Sequence, residues 1–155
     1  MDKEGIKSLM KTIPRFDPLD AKEIDLMAPY LEYRQAPDDS IIITEGEIGD
    51  NIFYIVSGEA KVSVRLPAGS DSTLVMLGKG EVVGEMAVLG LDNKRSATVA
   101  SVSEIELLIL SRENYESLVE QHIGIAFKIL KSITSNLCER IKHQSDQLVF
   151  LSLFG

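Results

Sequence analysis

Apolar residues fall at helical spacing at the start of the chain, at Ile6, Leu9, Met10 and Ile13, and Pro14 disfavours helical backbone in the residue before it. The spacing predicts a short N-terminal helix. A second helix is predicted across Leu19 to Leu31, where Leu19, Ile24, Leu26, Met27, Tyr30 and Leu31 recur and Asp17 offers a cap. From Ile41 to Leu110 the pattern changes to short β-rich runs: Ile41 to Thr44, Ile52 to Val56, Lys61 to Val64, Leu74 to Leu77 and Ile105 to Leu110. Gly46, Gly49-Asp50, Ser57-Gly58, Pro67 to Ser70, Gly78 and Gly80 punctuate these runs as turn formers. Strands of that length and spacing suggest a small barrel, roll or sandwich.

Beyond Ser111 the helical period returns, with Ser111 as a cap for a segment through His122 and a longer helix after it. Along that helix Leu130, Leu137, Gln144 and Leu151 share one heptad position, and Thr134, Ile141 and Leu148 the other. The seam suits a homodimer formed through residues 123–151. A stripe packed only on its own domain would show the same spacing. The apolar tail Val149 to Phe154 needs cover, for which the domain itself is the default.

Composition narrows the function more than the fold. The chain has 155 residues, 45% of them hydrophobic, which suits one domain over residues 1–155. A net charge of −8 opposes direct DNA binding and attraction to anionic membranes. The lone Cys138 has no partner for an internal disulfide and no CxxC neighbour. Met1 to Gly5 lacks the basic and apolar regions of a leader, so the cytoplasm is the expected location, with no membrane contact.

The residues that carry chemistry are concentrated in residues 84–99. Gly84-Glu85-Met86-Ala87-Val88-Leu89 follows a β-like run, and Arg95-Ser96-Ala97-Thr98-Val99 begins ten residues after Glu85. Small residues at Gly84 and Ala87 let backbone amides approach a ligand, and one helical turn over Met86 to Gly90 would point free N–H groups at an anion. Arg95 offers a planar fork for phosphate oxygens, and Glu85 can accept from a ribose hydroxyl. An isolated Glu and Arg at this spacing would be read as a structural ion pair; the small residues around them favour a clamp for ribose and phosphate. Lys94, at a loop tip, and Glu81 read as solvated charges. His122 and His143 are the only histidines, and neither HxH, HExxH nor GxxxxGKS/T occurs, so a metal site, catalysis and a P-loop are not expected.

With Gly46-Glu47-Ile48-Gly49-Asp50, Tyr54 to Ala60, Gly84 to Ala87 and Arg95 to Val99 in this order and spacing, the chain resembles the cyclic nucleotide-binding domain family. That family includes catabolite activators, regulatory subunits of cAMP-dependent kinase and nucleotide-gated channels. The resemblance implies an α+β, mainly β fold: a jelly-roll-type β-roll over residues 41–110, N-terminal helices in residues 1–31, and C-terminal helices, one of them long, in residues 111–155. It also implies that Glu85 holds the ribose 2′-hydroxyl. Arg95 would pair with a phosphate oxygen, assisted by Gly84, Met86, Ala87, Ser96 and Ala97. Gln144 and Ser145 would approach the base, with Asp146 as an acceptor for guanine. The loop Gly90 to Lys94 has the length found in the bacterial activators.

cAMP is the expected ligand, cGMP the alternative, and no cofactor is implied. The resemblance implies a non-enzymatic receptor that signals by moving its C-terminal helix, with an unidentified protein effector as a further partner. The competing expectation is a dimeric interaction module of the same fold that senses another ligand or none. Bacterial activators continue into a helix-turn-helix domain that these residues do not include, which leaves open a free-standing sensor or a fragment whose output domain lies elsewhere.

Overall fold

The computed structural model describes residues 1–90 and 92–154, with side chains described as far as residue 147. Helix α1 (Lys3–Met10) starts where the Asp2 carboxylate accepts from the Gly5 amide, and it buries Ile6 and Met10. A 3₁₀ turn (Pro14–Phe16) then buries Phe16. Helix α2 (Ala21–Met27) is shorter than its apolar spacing predicts, and its cap is Asp20, not Asp17. The Asp20 side chain accepts from the Glu23 amide and the Glu23 side chain accepts from the Asp20 amide, a reciprocal arrangement that Asp17 has no partner to make. Pro29 sits in a 3₁₀ turn (Ala28–Tyr30), where its missing N–H suits the end of the α-helix.

Leu31, expected as helix, instead opens strand β1 (Leu31–Ala36). The remaining strands are β2 (Ile41–Ile43), β3 (Asn51–Ser57), β4 (Ala60–Arg65), β5 (Asp71–Leu77), β6 (Val82–Val83), β7 (Thr98–Ser101) and β8 (Ile105–Ser111), with helix α3 (Glu85–Leu89) between β6 and β7. They form two four-stranded sheets, ordered β1-β8-β3-β6 and β2-β7-β4-β5, in which every recorded pairing is antiparallel. This is the mainly β roll implied by the sequence resemblance. Pairing with β8, from Leu31 opposite Leu110 to Ala36 opposite Ile105, overrides the polar Glu32, Arg34 and Gln35 that hide β1 in the sequence.

The first sheet has apolar residues on both faces. Ile52, Tyr54 and Val56 of β3 and Leu108 and Leu110 of β8 face a core shared with the helices. Phe53 and Ile55, with Ile105, Leu107 and Ile109, face a second core between the sheets, completed by Ile43, Leu77, Val83 and Val99. Strand alternation sends successive side chains to these two cores.

Ser111 caps helix α4 (Arg112–Gln121) by accepting from the Asn114 amide, as its position predicts. Helix α5 (Ile123–Phe154) presents Ile125, Ala126, Ile129 and Ile133 to the first core at helical spacing. Each buried isoleucine contributes roughly 2 kcal/mol from area removed from water. Polar contacts fasten the same helix: Lys128 pairs with Glu23 at 2.7 Å, the Ser132 hydroxyl donates to the Arg15 carbonyl, and Arg140 donates to the Val82 carbonyl. Leu130, Thr134 and Ile141 of the heptad seam face outward, whereas Leu137 packs against the helix's own core. The side chains of Leu148, Leu151 and the apolar tail lie outside the described residues. Among the described residues, no helix is long and apolar enough to cross a membrane.

Candidate ligand-binding site

β6 turns directly into α3 at Gly84, whose φ of +81° is in the left-handed region that favours glycine. Space matters as much as conformation here. A Cβ on Gly84 would lie 2.6 Å from Arg95 Nη1 and 2.7 Å from the Asn51 carbonyl oxygen. Gly49 has no such φ, yet a Cβ there would collide with Nε and Cζ of Arg95. Its glycine is therefore a matter of room for the arginine, in addition to the turn that the sequence suggests. Two missing side chains make the slot in which one guanidinium lies.

Arg95 is 9% exposed. Its Nη1 donates to the Gly84 carbonyl at 2.8 Å and its Nη2 to the Asn51 carbonyl at 2.9 Å, with the guanidinium 5.8 Å from the centre of the Phe53 ring. Burial pulls its pKa below the usual arginine value, against the stabilising charges of Asp50 and Glu85. Two of five N–H donors are used in these bonds, which leaves capacity for an anion.

Glu85 opens α3 and is 3% exposed. Burial pushes its carboxyl pKa up, while its own backbone amide and the charges of Arg140 and Arg95 pull it down. Its ion pair is with Arg140 of α5, Nη1 to Oε1 at 3.7 Å, so the structural pair with Arg95 considered from the sequence is not the contact it makes. Beside it, the Tyr54 hydroxyl is buried without a hydrogen-bond partner, and burial pushes its pKa up.

One cavity, with about 70 Å³ of free space, is lined by Gly84, Glu85, Met86, Ala87, Arg95, Ser96 and Ala97. These seven are the roll residues singled out in the sequence, and the fold brings them together. The apolar side chains of Ile43, Val62, Val83 and Val99 form its floor, and Arg140 reaches in from α5. Helix α3 forms as the sequence suggests, although it starts at Glu85 and not Met86. Gln144 and Ser145 do not join the cavity. They are exposed on α5 roughly one turn beyond Arg140, and the Ser145 hydroxyl donates to the Ile141 carbonyl.

Two arginines missed in the sequence complete the surroundings. Arg112, the first residue of α4, donates through Nη1 to the Val88 carbonyl at 2.9 Å and through Nη2 to the Ala87 carbonyl, while its amide donates to the Asp50 carbonyl. It thereby ties α3 to the segment before β3, satisfying carbonyls at the helix end. No sequence pattern marks it. Arg140 had a visible signal: a charged residue continuing the buried stripe Ile129, Ile133, Asn136.

Glu81, expected as a solvated charge, is half-buried and accepts from the Gly78 amide, pinning the turn before β6. Lys94 is exposed as expected, with its amide donating to the Asp92 carboxylate. Leu91, within the loop Gly90 to Lys94, lies outside the described residues. Among the described residues, no cluster of His, Cys, Asp and Glu could hold a metal ion.

Residues 33–122 match the family model described as the cyclic nucleotide-binding domain. The chain belongs to the cyclic nucleotide-binding domain family. Such domains are regulatory modules responsive to cyclic nucleotides and are in general not enzymes. The cyclic AMP receptor protein of Thermus thermophilus is 32% identical over 130 residues, which cover 84% of this chain and 60% of that protein. A cyclic nucleotide-binding domain from Methylobacillus flagellatus superposes with a TM-score of 0.82 at 25% identity, covering 95% of this chain and 82% of that one. The regulatory subunit of a cAMP-independent protein kinase A from Trypanosoma brucei superposes with a TM-score of 0.72, also at 25% identity, covering 86% of this chain and 47% of that one. The chain spans 60–68% of the lengths of the cAMP receptor-type relatives it matches.

Proposed function

We propose that this cyclic nucleotide-binding domain is a cytoplasmic receptor for a cyclic purine nucleotide, cAMP in preference to cGMP, and that it signals by moving α5. The observation that carries this is the convergence of a buried arginine and a buried carboxylate on one cavity at the start of α3. Arg95 would direct its remaining donors at an equatorial phosphate oxygen, with the amides of Ala87, Ser96 and Ala97 and the Ser96 hydroxyl beside it. Glu85 would accept from the ribose 2′-hydroxyl. Once α5 shifts, Gln144 and Ser145 would meet the base, and their new position would be read by a protein effector. The ligand moves α5 only by the difference in its affinity for the two helix positions. Calorimetric titration with cAMP and cGMP tests this, and absence of both heat and thermal shift at millimolar ligand would overturn it.

The outward face of α5 supports a homodimer. Ile123, Phe127, Leu130 and Ile141 are exposed along it, on the side away from Ile125, Ile129 and Ile133. Phe127→Glu combined with Ile141→Glu is expected to convert a dimer into a monomer in sedimentation velocity. A wild-type chain that sediments as a monomer at high micromolar concentration would exclude the dimer.

The same exposed stripe favours the second reading, an interaction module that senses another ligand or none. The Trypanosoma brucei relative, described as part of a cAMP-independent kinase, gives it further support. Under this reading Arg95→Ala leaves partner binding unchanged; under the first it removes nucleotide binding.

A further inference from the structure

The fold treats the five methionines of the chain differently. Met10 and Met27 are fully buried in the core shared with the helices, whereas Met1, Met76 and Met86 are more than half exposed. Met76 is on β5 opposite Lys61 and does not line the cavity at Glu85 and Arg95. Met86 is the second residue of α3. That short helix buries Glu85, Ala87 and Val88 and leaves Met86 57% exposed. The Met86 side chain stands between two spaces: the cavity at Glu85 and Arg95, and a second of about 410 Å³ walled by Leu89, Leu137 and the loop residues Asp92 and Lys94. Its Sδ accepts from the Ser96 hydroxyl at 4.0 Å. A thioether is a weak acceptor, so this hydroxyl is lightly held and turns readily to a better one.

We infer that Met86 is a site of reversible oxidation at the mouth of the ligand cavity, taking an oxygen atom from a small peroxide, and that its sulfoxide weakens nucleotide binding. This deepens the proposed receptor function and rests on it for the identity of the ligand. With hydrogen peroxide, Sδ attacks one oxygen: an S–O bond forms as the O–O bond breaks, and the sulfur is oxidised by two electrons. The departing hydroxide takes the proton of the transferred oxygen and leaves as water. The product exchanges a soft apolar sulfur for a polar S=O group, and a reductase can reverse the change. The new oxygen is a strong acceptor next to the Ser96 hydroxyl, so it captures the donor that a phosphate oxygen would otherwise receive. Its partial negative charge also faces the place of the anion, where Arg95 has donors to spare. Occupancy of the cavity thereby becomes sensitive to peroxide, with no change in the buried residues that build the clamp.

Mild hydrogen peroxide followed by peptide mass spectrometry tests the reaction: one added oxygen is expected on Met86 and on Met76, with Met10 and Met27 unmodified. Calorimetry on the same samples should show cAMP binding about tenfold more weakly after oxidation, in the wild type and in Met76→Leu alike, the scale of one hydrogen bond lost from a charged group. Met86→Leu has no sulfur at this place, and peroxide should change its own affinity by less than about twofold. Methionine sulfoxide reductases should return the oxidised wild type to its starting affinity. In Ser96→Ala the hydroxyl to be captured is gone, so oxidation should cost that variant less than it costs the wild type. Unchanged affinity in wild-type protein whose Met86 is fully converted would overturn the inference, and so would an equal loss in Met86→Leu. If untreated wild type binds neither cAMP nor cGMP, the receptor reading fails separately. The mapping then still decides the modification: Met86 left intact while Met76 is converted would exclude it.

Discussion

Arg95→Ala is expected to weaken cAMP binding by at least about 100-fold, or roughly 3 kcal/mol, the scale of a lost pair of charge-assisted hydrogen bonds to phosphate. Fold stability should change much less, because two effects oppose each other. The carbonyls of Gly84 and Asn51 lose their donor, which costs free energy, but the burial that lowers the Arg95 pKa shows that the charge itself is held at a cost. A thermal melt with an unchanged midpoint beside a lost calorimetric signal would separate recognition from folding. Arg95→Lys should recover little, since a point charge on a flexible stem cannot hold both carbonyls and present a planar fork to the ligand. Binding within threefold of wild type in Arg95→Ala would place the anion elsewhere.

The second large effect is expected at Gly84. An alanine there must take φ near +81° and put its Cβ against Arg95 Nη1 and the Asn51 carbonyl. Left-handed strain of ~1–2 kcal/mol and overpacking of ~1–3 kcal/mol together give a loss of about 3 kcal/mol. For a domain of this size that lowers the melting midpoint by about 10 °C. Binding should be lost too, since the new methyl displaces the guanidinium. Gly46→Ala is the matched control: its φ is +83°, but nothing lies within 4 Å of the added carbon. It should show the left-handed cost alone and keep the ligand. Equal losses at both positions would mean that the close approach to Arg95 is unimportant.

The parts of this molecule that were legible in its sequence are those governed by local rules. Ser111 is followed by a polar first turn and does cap α4; the runs around Ile52, Val62 and Ile105 are strands because branched and aromatic side chains suit a pleated, buried surface. The seven roll residues of the site were also legible, since they occur in two short blocks whose spacing is set by the turn from β6 into α3 and the return into β7. What escaped is non-local. β1 is a strand because β8 pairs with it from 69 to 79 residues away. Gly49 needs to be glycine because of a side chain that arrives from Arg95, and Arg112 reaches α3 from the start of another helix. Gln144 and Ser145 followed from helical alignment alone, and α5 in this structure holds them clear of the cavity that Arg140 enters.

The division of the interior by β3 and β8 has a mechanical consequence. The side chains that grip the helices, among them Tyr54, Leu108 and Leu110, point away from the core that floors the cavity, where Val83 and Val99 sit. If α5 moves as proposed, the first sheet would serve as a bearing plate: the helical layer would slide on one of its surfaces while the packing behind the other stayed intact. Close-packed interiors resist continuous deformation, so confining the proposed sliding to one interface would keep the cavity's geometry rigid while the helix moved.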